Sequence, residues 1–374
     1  MTTEICLTMI VKDEAAVIAR CLSSVRPLID RWCIVDTGST DGTEAAVRAA
    51  LAGIPGEYHH RPWKSFGANR SEVLELAKVN ASPGALALTV DADDVLEIEP
   101  DARAEIAAGS DADGFTLEVA LGTLRYHRVH LLRLDRDWRY EGVLHEYPTR
   151  GATILSTTPP LTKVRYRCVS DGARSQLPDE VKYRRDAETL ERALEVEPEN
   201  ARYVFYAAQS WRDAGESDRA LTLYERRAQM TNGFVEEVNV SLLEAAKIHE
   251  RLDHPAETVW TAYLRAHASR PTRVEPLYEL TRYCRLAKQY ALAWVFASAA
   301  FDIKRPADAL FIAVEVYAWR MLDEYALAAY YTGRLARSVA VNNALLVLPE
   351  LPDTERPRIR ENLNWALYGR PTAP

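Results

Sequence analysis

Three carboxylates set close together at the end of an apolar run carry the first chemical signal in this sequence. Thr89-Val90-Asp91-Ala92-Asp93-Asp94 follows Ala85-Leu86-Ala87-Leu88, which reads as a buried strand. Carboxylates crowded there repel one another and lose hydration, so a divalent cation is their natural companion. At the carboxyl end of a strand in an open α/β sheet, that cation lies in the ligand crevice. Hard oxygen ligands in small number suit Mg2+ or Mn2+ shared with a diphosphate. On this motif alone, an Asp-rich surface turn is the alternative.

The elements that must position the turn come earlier in the chain. Ile5-Cys6-Leu7-Thr8-Met9-Ile10-Val11 reads as a first strand, followed by Lys12-Asp13-Glu14. A helical pattern then runs through Val17, Ile18, Cys21, Leu22 and Val25. Trp32-Cys33-Ile34-Val35-Asp36 reads as a second strand. It ends in Thr37-Gly38-Ser39-Thr40-Asp41-Gly42-Thr43, a turn rich in helix-capping residues. The unit is strand, helix, strand, helix, with carboxylates at the strand ends.

Met9-Ile10-Val11-Lys12-Asp13-Glu14, Val35-Asp36-Thr37-Gly38-Ser39-Thr40-Asp41-Gly42-Thr43 and Asp91-Ala92-Asp93-Asp94 resemble the successive motifs of family 2 glycosyltransferases. The resemblance covers roughly the first 150 residues. It implies the A-type, Rossmann-like nucleotide-sugar fold and sugar transfer from a nucleotide diphosphate donor. Trp63-Lys64-Ser65-Phe66-Gly67-Ala68-Asn69-Arg70 and Trp138-Arg139-Tyr140-Glu141-Gly142-Val143-Leu144-His145-Glu146 are similar to a subgroup with a C-terminal tetratricopeptide array. Peptide S-glycosyltransferases of the sublancin type are relatives of that subgroup.

Composition narrows the classes. The 374 residues suit two domains, and 48% hydrophobic residues supply a sizeable core. A net charge of −8 gives no bulk attraction to nucleic acid or to an anionic membrane. No apolar run approaches a membrane span, and the first residues lack a basic leader pattern. Cys6, Cys21, Cys33, Cys168 and Cys284 are scattered in apolar surroundings and read as free thiols of a cytoplasmic protein.

The second half changes character. Strand-like Lys163-Val164-Arg165-Tyr166 closes the first domain, and helical patterns dominate after Pro178. Residues 1–170 are expected to form the glycosyltransferase domain and residues 171–374 a helical repeat array. Ala220, Ala256, Ala291 and Ala326 recur at intervals of 36, 35 and 35, each followed four residues later by Tyr224, Trp260, Val295 and Tyr330. Such a period marks stacked helical hairpins near the tetratricopeptide length. The first unit fits best, with Ala207, Ala208, Trp211, Gly215, Ala220 and Tyr224, and a capping helix is expected at Ile359–Leu367. Such an array either recognises an acceptor or serves dimerisation and support of the catalytic domain.

The family resemblance assigns roles by motif position. Glu14 and Asp36 would contact the uracil or ribose of a UDP-sugar, the alternative for each being an ordinary cap or turn carboxylate, and for Asp36 the motif context favours the donor contact. Asn69 and Arg70 would join the donor site. Arg70 can fork onto phosphate or stack on a base, its alternative being a surface pair with Glu72 or Glu75. Trp63 and Phe66 read as packing residues. Asp93 is the first choice as ligand to Mn2+ or Mg2+, Asp91 holds the ribose or the metal, and Asp94 takes either task or orients the sugar. His145 is a further candidate metal ligand. Inverting transfer needs a general base, for which Glu146 is the candidate and Glu141 the runner-up. His127 and His130 read as structural. The acceptor is a peptide, a protein or a small molecule. The alternative reading is a repeat scaffold that binds a nucleotide sugar without turnover.

Overall fold

The structure is a computed structural model that describes residues 3–369, apart from positions 110, 123, 152, 154 and 309. Its contacts divide the chain into two compact units, Met1–Val196 and Glu197–Pro374.

The first unit is a mixed α/β sheet. Strand β1 (Ile5–Val11) leads through helix α1 (Ile18–Val25) to β2 (Arg31–Asp36), and α2 (Thr43–Ala50) leads on to β3 (Gly56–His60). Helix α3 (Phe66–Lys78) then returns the chain to β4 (Leu86–Thr89). After it come β5 (Val95–Ile98), α4 (Ala102–Ala108), β6 (Gly114–Leu121), β7 (Leu124–Arg133), the short hairpin β8 (Arg139–Glu141) and β9 (Tyr147–Thr149), and β10 (Leu161–Arg167). Helix α5 (Asp179–Val196) completes the unit. The division between units thus falls after α5, whereas the passage from strand to helix in the sequence falls before it.

The main sheet has the order β3-β2-β1-β4-β7-β6-β10-β5. Strands β3, β2, β1 and β4 are parallel, and β7 then pairs antiparallel with both β4 and β6. Continuous buried runs make β1, β2 and β4 because helices cover both faces, whereas edge strand β3 is polar and partly exposed. In β1, Ile5, Cys6, Leu7 and Met9 are all at most 1% exposed. One face packs Ile18, Leu22 and Val25 of α1, and the other packs Val73, Leu74 and Ala77 of α3. From β1 the chain builds outward to β2 and β3, then crosses back to place β4 on the other side of β1. The strand order therefore reverses between β1 and β4, which opens a crevice beyond their carboxyl ends.

The second unit is helical: α6 (Ala201–Asp213), α7 (Ser217–Gln229), α8 (Val235–Arg251), α9 (Ala256–Ser269), α10 (Glu275–Leu286), α11 (Tyr290–Ala300), α12 (Met321–Tyr331), α13 (Leu335–Val347) and α14 (Arg356–Tyr368). Consecutive helices pack as hairpins, and Ala207, Ala208, Trp211, Ala220 and Tyr224 of the first are at most 1% exposed. Small residues let α6 and α7 approach, and the aromatic rings fill the remaining space. Gly215 turns the chain between them at φ +83°. The buried Arg227–Glu237 pair, 3.0 Å apart, links α7 to α8.

The alanine register does not mark equivalent positions throughout. Ala220 is buried in α7, Ala256 opens α9, and Ala291 is an exposed residue of α11. Ala326 lies in α12, the opening helix of its hairpin rather than the closing one. The connection between α11 and α12 is long, with a π-helical turn at Val316–Arg320, and it shifts the last repeat out of phase. The capping helix expected at Ile359–Leu367 is α14, slightly longer at both ends.

Candidate active site

Two loops meet at the crevice. The first follows β1, where Asp13 adopts φ +55° and its carboxylate accepts the Thr40 amide at 2.7 Å. The Glu14 amide donates to the Thr43 hydroxyl at 2.9 Å, and its carbonyl caps α1 through Val17 and Ile18. The second is the acidic turn after β4. Its start is held from below, because the Asp91 amide donates to the Tyr166 hydroxyl at 3.1 Å. Tyr166 is 2% exposed and stacks on His130 at 4.2 Å between ring centroids.

Like charge shapes the acidic groups. Burial pushes Glu14 up to about 7, and Asp93, Asp41 and Asp91 add to the shift. Burial likewise raises Asp94 to about 6 and lifts Asp93 above the usual carboxylate range, with Asp91 adding to both. Asp91 goes the other way: its partial burial opposes its charge, but the adjacent Arg70 guanidinium outweighs that and holds it low.

Arg70 is the centre of the neighbouring network. It is 5% exposed, donates through Nε to Glu146 Oε1 at 2.7 Å, and also pairs with Asp91. The expected surface alternative is not found: Glu72 pairs with Arg61 and Lys64, and Glu75 pairs with Lys78. Arg128 adds a bond to the Glu146 carbonyl at 3.2 Å. Behind them, the Tyr140 hydroxyl donates to Thr89 Oγ1 at 3.1 Å.

The structure therefore gathers Glu14, Asp91, Asp93 and Asp94 at the crevice and ties Arg70 and Glu146 to Asp91. The other expected residues have partners outside the acidic turn. Asp36 is 2% exposed, accepts the Gly38 and Ser39 amides at 2.9 and 2.7 Å, and takes the Tyr58 hydroxyl at 2.6 Å. These bonds outweigh burial and hold Asp36 below its ordinary range. Asn69 accepts from the Lys64 amide and donates to the Pro62 carbonyl, so it fastens the loop before α3. Glu141 lies on the β8–β9 hairpin with Arg139 at 2.6 Å and the Tyr147 hydroxyl at 3.1 Å. His145 is exposed at φ +52°. Among the described residues no three His, Cys, Asp or Glu side chains form a group that could hold a metal ion, so Asp91, Asp93 and His145 do not assemble as one. Trp63 is not core: it is 47% exposed, edge-on to Phe66. All five cysteines are free thiols, four of them buried.

A Mg2+-type ion needs few protein carboxylates when phosphate and water complete its shell. Glu14 and Asp93, which face each other across Gly172 and are both raised by burial and then by like charge, offer hard oxygens of the type such an ion takes, as two protein ligands and not as a preformed group of three.

Tyr166, Arg128 and Arg20 escaped sequence reasoning. Tyr166 sits in a segment read only as a closing strand, though alternation in Val164-Arg165-Tyr166 already points it to the buried face. Nothing local ties Arg20 or Arg128 to a turn so distant in sequence.

A reversal crevice lined by acidic loops defines a ligand-binding open α/β domain. Residues 6–104 match the family model of Glycosyl transferase family 2, and the first unit thus carries a family 2 glycosyltransferase domain, followed by a helical repeat array. A TPR repeat-containing protein of Synechococcus elongatus is 31% identical over 164 residues. That alignment spans 42% of this chain and 38% of the relative, well under half of either. Among solved structures, S. aureus TarS is similar over 70% of this chain and 55% of its own, at 13% identity and a TM-score of 0.38. A tetratricopeptide repeat protein from Parabacteroides merdae is similar over 51% of this chain and 69% of its own, at 17% identity and a TM-score of 0.38. Among the described residues no helix is long and apolar enough to cross a membrane.

Proposed function

We propose that this chain transfers a hexose from a UDP-sugar donor to a peptide, protein or small-molecule acceptor, with Mn2+ or Mg2+ as cofactor. One observation carries the reading: Glu14 after β1 and Asp93 in the acidic turn after β4 come together where the strand order reverses. This is where an open α/β sheet binds its ligand, and the family match falls on the same segment.

Asp93, with Asp91 or Glu14, would hold the cation, whose chemistry is to neutralise charge developing on the leaving diphosphate. Arg70 keeps Asp91 ionised and fixed in direction, and Glu146 orients Arg70 from the far side. Tyr166 holds the start of the acidic turn. For the base that takes the acceptor proton, Glu146 and Glu141 are the two proposals. Glu146 offers the oxygen not bonded to Arg70, and Glu141 lies on a more accessible hairpin, its side chain 42% exposed. The helical array is proposed to recognise the acceptor, since such arrays present extended surfaces to polypeptides; dimerisation is the competing use.

The test is a melting measurement with UDP plus Mn2+ or Mg2+, repeated with EDTA. At about 100 times its dissociation constant, the nucleotide should add about 2.7 kcal/mol with metal and almost nothing without. Slow release of UDP from UDP-glucose in water then separates an enzyme from a binder without turnover. Equal stabilisation with and without EDTA would overturn the metal-bridged site.

A further inference from the structure

A short segment, Cys168–Gln176, lies directly over the acidic cluster. It connects β10 to α5 and contains a 3-10 turn at Ala173–Gln176. Three of its main-chain amides donate to three different carboxylates of the site. Val169 donates to Asp94 Oδ1 at 2.9 Å, Gly172 to Asp93 Oδ2 at 3.1 Å, and Ala173 to Glu14 Oε2 at 3.3 Å. A bidentate pair pins the segment from outside, Arg20 to Asp171 at 2.6 and 2.8 Å, and Arg20 also donates to the Asp93 carbonyl at 2.7 Å. Arg174 anchors its far end through Asp186 and the Phe66 ring. Ser170 turns the chain at φ +58°.

The fit is close at Gly172. A Cβ added there would stand 2.9 Å from Glu14 Oε2 and 3.0 Å from Asp93 Oδ2. A cation held by Glu14 Oε2 and Asp93 Oδ2 would need the same space, because an ion sits only about 2 Å from its oxygens, and the diphosphate it carries would lie beside it. Amide hydrogens and a divalent cation answer the same need, to offset crowded negative charge, and at Gly172 they do so from the same side.

We propose that this strap is an autoinhibitory contact: its amides close the carboxylate cluster in the resting chain, and it must lift for a metal-bound nucleoside diphosphate to enter. The inference rests on the donor site proposed above. The strap is also the stretch of chain through which the catalytic sheet continues toward the helical array, so its release is placed on the covalent path between the two units.

Gly172 makes the idea testable in the full chain. Its φ of −67° is one that proline adopts, so Gly172→Pro removes the amide to Asp93 and adds bulk against two carboxylates. Gly172→Ala adds the bulk and keeps the amide. Hydrogen exchange of the peptide covering 168–176 and affinity for Mn2+·UDP by calorimetry are the two readouts. In the wild-type chain, saturating Mn2+·UDP should raise exchange of these amides at least 5-fold. Gly172→Pro should show fast exchange without ligand and bind Mn2+·UDP several-fold more tightly, with Gly172→Ala in between. Stronger protection of the strap on nucleotide binding, or unchanged affinity in Gly172→Pro, overturns the gate while leaving the nucleotide site standing. Absence of Mn2+·UDP binding in both the wild-type chain and Gly172→Pro overturns the donor site and the gate together. Binding to Gly172→Pro alone supports the gate.

Discussion

Replacing Arg70 by Met should cost the first unit more stability than any surface substitution, and the size can be worked from its partners. Arg70 and Glu146 form a pair whose side chains are 6% and 8% exposed. Removing the cation leaves the buried Glu146 carboxylate without its bonded partner and with only the charge of Arg128 nearby, a loss of about 3–5 kcal/mol at most. Asp91 adds little, because its side chain is 40% exposed and water screens it, a contribution of about 0–1 kcal/mol. Arg128 cannot replace Arg70 in place, since its bond goes to the Glu146 carbonyl rather than the carboxylate. For a unit of this length each kcal/mol moves the melting temperature by about 2–4 °C, so the drop should be about 6–20 °C. The two units can melt separately, so calorimetry should be paired with hydrogen exchange of β4 and β7, which reports the first unit alone. Glu146→Gln should cost less, because Arg70 keeps Asp91. The double variant Arg70→Met with Glu146→Gln should be more stable than Arg70→Met alone, since no buried charge is left unpaired. A loss below about 1 kcal/mol for Arg70→Met, or simple additivity of the two changes, would refute the buried-pair reasoning.

Three further outcomes follow from the same site. Asp93→Asn should weaken both Mn2+·UDP binding and sugar transfer, whereas Glu146→Gln should keep nucleotide affinity and lose about 10²–10⁴-fold in turnover if Glu146 is the base; loss of nucleotide affinity in Glu146→Gln would instead give it the task of orienting Arg70 and Asp91. Glu14 holds its proton in the folded chain up to about 7 against an ordinary 4.5. Between those values the folded state binds more protons than the unfolded one, so this group makes stability fall as pH rises. Glu14→Gln should therefore gain on the wild-type chain from pH 4.5 to 7 in EDTA, read from urea midpoints, and a constant difference across that range would count against the crowded cluster. Gly67→Ala puts a Cβ 2.4 Å from the Gly142 carbonyl oxygen, so α3 must withdraw from the β8–β9 hairpin at a cost of about 1–3 kcal/mol, measurable as a lower urea midpoint.

Much of the site was legible in the sequence because its parts are local. The acidic turn after a buried apolar run, the first two strand ends and the order of the three motifs all follow from residue type and spacing. So does the change to helical repeats after Pro178. Asp36 and Asn69 show the limit. They occupy motif positions, and the structure adds that nearby main-chain groups hold both side chains in place, partners that residue type and spacing do not reveal. The alanine register failed for a related reason. A period read from one small residue assumes constant helix and loop lengths, yet Ala256 and Ala291 already fall at helix starts, and the long connection before α12 moves Ala326 to an opening helix.

The sequence by itself determined strands β1, β2 and β4, the acidic turn and the helical character of the second unit, because each is written in apolar runs or periodicity and in short-range turn chemistry, whereas polar β3 is not. Only the tertiary structure decided what those carboxylates meet. Arg70 reaches Asp91 and Glu146 from a helix far away in the chain, Tyr166 supports the turn from the penultimate strand of the sheet, and the strap around Gly172 brings its amides to Glu14 and Asp93 from the far end of the unit. Those partners carry no local sequence signal, since an arginine, a tyrosine or a main-chain amide serves equally well in any fold. Sheet order and the reversal between β1 and β4 bring them within bonding distance.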